Sequence, residues 1–68
     1  MSLYKVIEIV GTSEVSWDDA AKNGIEIARR TLRDLRIAEV TKMDLKLEDG
    51  KIQYRTRLSL SFKYIDEG

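Results

Sequence analysis

Residues 42–64 read KMDLKLEDGKIQYRTRLSLSFKY, and this stretch decides the fold. Asp49-Gly50 at its centre is a strong signal for a two-residue hairpin loop, because a type I′ turn needs positive φ at both positions. Polar and apolar residues alternate on both sides of the loop, as strands with one buried face require. We therefore predict a long β-hairpin with strands Arg36–Glu48 and Lys51–Asp66.

The second strand of this hairpin alternates without interruption. One side carries apolar residues and a threonine: Ile52, Tyr54, Thr56, Leu58, Leu60, Phe62 and Tyr64. The other side carries only polar residues: Gln53, Arg55, Arg57, Ser59, Ser61 and Lys63. Because side chains alternate between the two faces of a sheet, one face is predicted to be apolar and the other charged.

The first half of the chain predicts one strand and one helix. A β-branched stretch, Tyr4–Val10, indicates the first strand, and Gly11-Thr12-Ser13 is interpreted as a break after it. Ser16, with Asp19 three residues later, resembles a capping box, so the helix is expected to run from Trp17 to about Leu35. Its apolar stripe recurs at spacings of three and four: Trp17, Ala21, Gly24, Ala28, Leu32 and Leu35.

The helix is too short to cover the hairpin. At 1.5 Å per residue it spans about 28 Å, whereas the last strand reaches roughly 45–50 Å at about 3.3 Å per residue. Apolar surface around Tyr54, Phe62 and Tyr64 is therefore expected to lie uncovered, or to pack against other copies of the chain. We predict a homo-oligomer of an α+β subunit.

Composition narrows the function classes. The 68 residues are predicted to form a single domain, 1–68, and with no cysteine they have neither disulfides nor thiolate metal sites. There is no histidine and no nucleophile–base motif, so we expect no enzyme activity. Twelve basic and twelve acidic residues balance, which favours neither nucleic acid nor a membrane as partner, and a cytoplasmic location is expected.

The hairpin register predicts which side chains meet. If the loop is Asp49-Gly50, residues equidistant from it face one another: Leu47 with Ile52, Leu45 with Tyr54, Met43 with Thr56, and Ile37 with Phe62. On the polar face, Asp44 then lies opposite Arg55 and Lys42 opposite Arg57. Glu8 of the first strand is able to neutralise the second pair. These charges indicate either a ladder facing solvent or a cavity, or a site for an anion or phosphate-bearing ligand at Lys42, Arg55 and Arg57.

Several segments together resemble the dodecin family: residues 4–13 (YKVIEIVGTS), residues 30–35 (RTLRDL), Glu39-Val40 and the Asp49-Gly50 hairpin. The resemblance implies a β-α-β-β subunit whose three-stranded antiparallel sheet half-wraps one helix. It further implies a hollow homododecamer that binds and stores flavins such as FMN or riboflavin, with coenzyme A in some members.

The sequence departs from that family at its ligand positions. Where flavin-binding dodecins carry Leu-Asp-Trp-Phe-Glu-Val, Leu35–Val40 reads LRIAEV, so Ile37 replaces the stacking tryptophan. Arg55 stands where the family has a glutamine that contacts flavin, and Asp44 where it has an arginine. We therefore expect flavin affinity to be weakened or lost.

These departures resemble the branch described as calcium dodecins. That likeness implies a calcium site built from carboxylates between subunits, with Glu8 and Asp44 as candidate ligands. Calcium takes six to eight oxygens, which is more than the clustered acids of one subunit offer. The alternative is a structural or interaction shell with no tight ligand.

Overall fold

The computed structural model describes residues 2–66, which form three strands and one helix. In chain order these are β1 (Ser2–Ser13), α1 (Trp17–Ala28), β2 (Leu35–Glu48) and β3 (Lys51–Asp66). The strands form one antiparallel sheet in the order β1-β3-β2, so the last strand is central. The predicted β-α-β-β subunit is confirmed.

The hairpin loop has the predicted geometry. Asp49 and Gly50 have φ values of 52° and 72°, the left-handed pair that a two-residue type I′ loop needs. From this loop outward, the pairing follows the predicted register as far as Lys42 opposite Arg57.

A bulge then changes the register of β2. The pairing shifts by one residue between Val40 and Lys42, which leaves Thr41 unpaired. The hydroxyl of Thr41 donates to the main-chain carbonyl of Arg57 at 3.3 Å. Because a bulge inserts one extra residue on one strand, residues 37–40 of β2 turn to the opposite face of the sheet from the one predicted.

The predicted pairing of Ile37 with Phe62 is therefore wrong. Ile37 faces Ser61, and after a second shift Leu35 faces Phe62. The prediction assumed a regular ladder beyond the loop, whereas the ladder is interrupted twice within β2.

Strand β1 is longer than predicted at both ends, and the break expected at residues 11–13 is part of it. Gly11 lies against the helix at the point of closest approach. A Cβ there would overlap the carbonyl oxygen of Ala20, and the Cα of Gly24 is 3.3 Å from the same position. The glycine therefore permits close packing of strand and helix rather than ending the strand.

The helix begins as predicted and ends early. Ser16 is the N-cap, and its hydroxyl accepts from the N–H of Asp19 at 3.0 Å. Regular α1 ends at Ala28 instead of near Leu35, and the next turn tightens, since the N–H of Thr31 bonds to the carbonyl of Ala28 at 3.2 Å. The chain then has to reverse direction so that Leu35 can begin β2.

That reversal is made at Asp34, which has a φ of 57°. Its carbonyl accepts from the N–H of Lys63 at 3.1 Å, which ties the connection to β3.

The core lies between α1 and the β1–β3 half of the sheet. Leu58 and Leu60 of β3 are 1% and 0% exposed beneath Ala28, and Ala20 is also buried. Beyond the helix the same sheet face is bare, and its large apolar residues are exposed: Val40, Met43, Leu45, Leu47 and Ile52. No helix in residues 2–66 has the length and apolar character that crossing a bilayer requires.

The subunit measures 52 × 20 × 15 Å, so the sheet extends well past a helix of about 18 Å. The predicted overhang is confirmed, although its position differs from that expected. Tyr54 packs against Trp17 and Phe62 is half-buried, whereas Tyr64 is exposed as predicted.

Candidate functional site

The candidate site is the sheet face that points away from α1, called here the far face. Leu58 and Leu60 point toward the helix, so their neighbours on β3, among them Arg57 and Ser59, point away from it. Pairing with β3 adds residues from both outer strands to this face: Val6, Glu8 and Val10 of β1, and Ile37, Glu39, Lys42 and Asp44 of β2. The predicted ligand and metal candidates thus all lie on one face.

The strongest polar contact on the far face joins Asp44 to Arg55. The Nε and NH2 groups of Arg55 donate to the two carboxylate oxygens of Asp44 at 2.7 and 2.9 Å, so the predicted placement of Asp44 opposite Arg55 is confirmed and the two form an ion pair. This hydrogen bonding, together with the charges of Arg55, Lys42 and Arg57, lowers the pKa of Asp44 below its ordinary value. Both oxygens of the carboxylate are already in use within the subunit.

A second, longer ion pair on the far face joins Arg57 to Glu8. Arg57 NH1 lies 3.8 Å from Glu8 Oε1, as predicted, and both side chains remain accessible. Lys42, which lies opposite Arg57, makes no ion pair within residues 2–66. The cations at Lys42 and Arg57 are therefore more available to a ligand than Arg55 is.

The bulge adds a residue that sequence reasoning missed. Ser59 is paired with Glu8 on one side and with Glu39 on the other, so two carboxylates flank one hydroxyl in a row across the sheet. A regular register would have placed Glu39 opposite Leu60, toward the helix. No sequence signal marked the bulge, and Glu39 could not have been assigned to the far face without it.

Ile37 lies one step further along the same face, opposite Ser61 and next to the row that contains Glu39. It is 57% exposed. The bulge therefore puts Ile37 on the charged face of the sheet, in the position where the family resemblance implies a stacking residue.

Trp17 holds the start of α1 against the hairpin. Its ring meets Tyr54 edge-on, with centroids 5.2 Å apart at 86°. Its indole N–H donates to the main-chain carbonyl of Asp44 at 3.0 Å, and its own carbonyl accepts from the Thr56 hydroxyl at 2.9 Å. Asp44 is thus fixed through its main chain by Trp17 and through its side chain by Arg55. Trp17 therefore anchors the start of α1 to the hairpin by packing and hydrogen bonds.

A metal site cannot be completed within the described part of one subunit. No three acidic, histidine or cysteine side chains in residues 2–66 are grouped so that they could hold an ion. Glu8 and Asp44 lie on the two outer strands, about 10 Å apart across the sheet, and their partners Ser59 and Arg55 are four residues apart along β3. Calcium coordination by these residues would need a second copy of the chain.

Comparison with known proteins agrees with this fold. The family model described as Dodecin matches residues 3–65, which is nearly the whole chain. The chain belongs to the dodecin family. The predicted family is confirmed, and with it a coarse function: dodecins bind small molecules or ions, and they assemble from copies of one chain.

Individual relatives indicate the branch. Calcium dodecin of Mycobacterium tuberculosis is 47% identical over 64 residues, which cover 93% of this chain and 90% of the relative. Its crystal structure, described as having a novel calcium-binding site, superposes with a TM-score of 0.86 at 43% identity and covers 98% of this chain and 97% of the relative. Dodecin from Streptomyces coelicolor gives a TM-score of 0.87 at 36% identity, with coverage of 97% and 96%.

Proposed function

We propose that this chain is the subunit of a non-enzymatic storage shell that holds a small ligand or ion on its far face. In this proposal residues 1–68 act as one domain, and twelve copies enclose a hollow interior in the cytoplasm. The observation that carries it is the asymmetry of the sheet. One face is partly covered by α1, whereas the other presents charged side chains from all three strands, and no helix of residues 2–66 packs over it.

Calcium is the ligand that we favour over flavin. The likeness to calcium dodecin supports it. Ile37 offers a flavin ring no aromatic partner, and such stacking contributes about 0.5–1.5 kcal/mol beyond area burial. Arg55 is engaged with Asp44 at the position where the family implies a flavin contact.

Among the two predicted metal ligands, Glu8 is the better candidate. Within residues 2–66 its ion pair with Arg57 is 3.8 Å long, whereas both oxygens of Asp44 accept hydrogen bonds from Arg55. A cation approaching Asp44 would also meet the positive charge of Arg55. Glu39, in the same row as Glu8, brings a second carboxylate to the face of each copy. Repetition across an interface would multiply these oxygens toward the number that calcium requires.

An anion or phosphate-bearing ligand is the second candidate within the storage proposal. Lys42 and Arg57 face each other across β2 and β3, an arrangement that repels unless something negative lies near. Glu8 neutralises part of the positive charge of Lys42 and Arg57, and a bound anion would neutralise the rest.

A structural shell with no tight ligand has its own support. The Asp44–Arg55 and Glu8–Arg57 contacts satisfy four charges of the far face within one subunit. A face that is balanced in this way needs no ligand in order to be stable.

Thermal unfolding of the assembled protein tests these alternatives. A ligand that binds only the native state adds about 2.7 kcal/mol at one hundred times its Kd, and a small domain gains roughly 4–8 °C per kcal/mol. We expect millimolar calcium to raise Tm by several degrees, magnesium to raise it less, and FMN fluorescence to stay unquenched on titration.

Matched variants locate the site. Glu8→Gln should lose most of the calcium shift, whereas Glu26→Gln, which removes an exposed carboxylate of α1, should keep it. Quenching of FMN by the protein would contradict our interpretation of Ile37. If calcium, phosphate and FMN all leave Tm unchanged, the alternative of a structural shell with no tight ligand is favoured.

A further inference from the structure

Four charged side chains lie in two neighbouring rows of the far face. The first, called here the acid row, crosses the sheet through Ser59 and carries Glu8 and Glu39. The second, called here the base row, consists of Arg57 and Lys42, which face each other across β3 and β2. Ser59 and Arg57 are two residues apart along β3, so the rows are about 7 Å apart. Charges at this separation influence one another, and a ligand bound at one row alters the other.

Arg57 connects the two rows. Its NH1 group lies 3.8 Å from Oε1 of Glu8, so it is a counter-ion of the acid row. Its partner across the sheet is Lys42, and like charges that face each other in a sheet repel. The side chains of Arg57 and Glu8 are 42% and 59% exposed, so their ion pair can open without disturbing the core. A cation that binds Glu8 therefore releases Arg57.

The charges of the two rows cancel before any ligand binds. Two carboxylates face two cationic side chains, so a divalent cation alone would add two positive charges beside Arg57 and Lys42. An anion alone would meet the carboxylates of the acid row. A phosphate monoester carries a charge of about −1.5 to −2 at neutral pH, which matches the excess. The two ligands bound together keep the far face close to neutral.

The oxygens of a phosphate also make up for a shortage of cation ligands. No three acidic, histidine or cysteine side chains within residues 2–66 are grouped so that they could hold an ion. Divalent cations in proteins commonly complete their coordination with phosphate oxygens in addition to one or two carboxylates. A phosphate held at the base row would bring such oxygens next to the acid row.

We propose that the far face binds a divalent cation and a phosphate-bearing small molecule as a pair, with Arg57 exchanging Glu8 for the phosphate as its counter-ion. Glu8 then turns to the cation, and the like-charged pair of Arg57 and Lys42 shares one anion. Because coupling between binding sites is reciprocal, each ligand raises the affinity of the other by the same factor. The inference rests on the calcium and anion sites proposed above and adds the coupling between them.

Equilibrium dialysis of the assembled protein against calcium, with and without methyl phosphate, measures this coupling. Methyl phosphate is the probe because inorganic phosphate precipitates calcium, and sodium chloride keeps the ionic strength constant. We expect saturating methyl phosphate to lower the calcium Kd by about tenfold, within the range typical of coupled sites.

Two matched variants show whether Arg57 carries the coupling. Arg57→Gln should bind calcium more tightly than the wild type when methyl phosphate is absent, because Glu8 has lost its competing cation. In the same variant methyl phosphate should have little effect. Lys46→Gln removes an exposed cation from the same face, opposite Gln53 and nearer the hairpin loop, and should keep the wild-type coupling. Native mass spectrometry checks that both variants retain the wild-type mass.

The outcomes separate the coupling from the sites on which it rests. Wild-type calcium binding that methyl phosphate leaves unchanged would overturn the coupling while the proposed calcium site stands. An Arg57→Gln variant that binds calcium no more tightly than the wild type in the absence of methyl phosphate would overturn it as well. A wild type that binds no calcium, with or without methyl phosphate, would instead overturn the proposed calcium site and the coupling with it.

Discussion

The half of the sheet beneath α1 and the half beyond it are built from similar residues but are buried very differently. Leu58 and Leu60 are enclosed by the helix, while Leu47 is 73% exposed at the edge of the same face. Similar apolar patterning therefore serves two purposes. The covered half stabilises the subunit, and the uncovered half is available for association, which would add to the small core of a 68-residue chain.

The largest expected contrast comes from truncating one leucine in each half. Leu60→Ala should cost about 2–5 kcal/mol of unfolding free energy, because it leaves a cavity in the core. Leu47→Ala should change the stability of the isolated subunit little and should weaken association instead. Urea denaturation at matched protein concentration, together with sedimentation equilibrium, separates the two effects. If both variants lost the same unfolding free energy, the proposed difference between the covered and uncovered halves would be wrong.

A smaller effect tests how closely the helix lies on the covered half. Gly11→Ala should cost about 1–3 kcal/mol, because the new methyl group would overlap the carbonyl of Ala20 and force α1 away from β1. Thr12→Ala, at the exposed neighbouring position, is the control for the change in strand propensity. Unfolding by urea measures both, and a neutral Gly11→Ala would contradict the close contact.

The start of the helix should contribute less again. Ser16→Ala removes the hydroxyl that caps the N–H of Asp19, a loss of about 1 kcal/mol. Ser2→Ala, at an exposed position in β1, is expected to change the unfolding free energy little. The cap is absent if the two variants have the same unfolding free energy.

The smallest effect belongs to the exposed far face and is visible in its pH dependence. Because the folded state lowers the pKa of Asp44, the pair with Arg55 stabilises the protein above the ordinary value of 3.8. That contribution is lost as pH falls through the lower folded pKa. Wild type should therefore exceed Asp44→Asn in stability at neutral pH, and the difference should shrink from about pH 5 downward.

The control for this pH dependence is Asp18→Asn, which removes an exposed acid from α1. High salt should reduce the difference between wild type and Asp44→Asn, because the pair is accessible to solvent. A difference that stays constant from neutral pH to pH 2 would contradict the pairing.

The features that were predictable from the sequence are those with local signals. Asp49-Gly50 specified the loop, and the register next to it correctly paired Asp44 with Arg55. Ser16 marked the start of the helix. In each case the chemistry of a few neighbouring residues decides the conformation.

The features that were missed depend on contacts between distant parts of the chain. The extra residue at Thr41 has no characteristic residue type, yet it decides that Ile37 and Glu39 lie on the charged face. The helix ends at Ala28 although its apolar stripe continues, because the chain must turn back to begin β2. The candidate site was therefore foreseen on the loop side of the bulge and mis-assigned on the other side.

The mass of the wild-type protein in solution tests the central claim most directly. The apolar edge of the sheet that α1 leaves uncovered should be buried by other copies. The proposed shell has twelve copies, as the dodecin resemblance implies, so native mass spectrometry after gentle purification should give twelve times 7.8 kDa. The same spectrum would report a retained ion or small molecule. A mass of 7.8 kDa at micromolar concentration would contradict the account, because the apolar edge of the sheet would then have no partner.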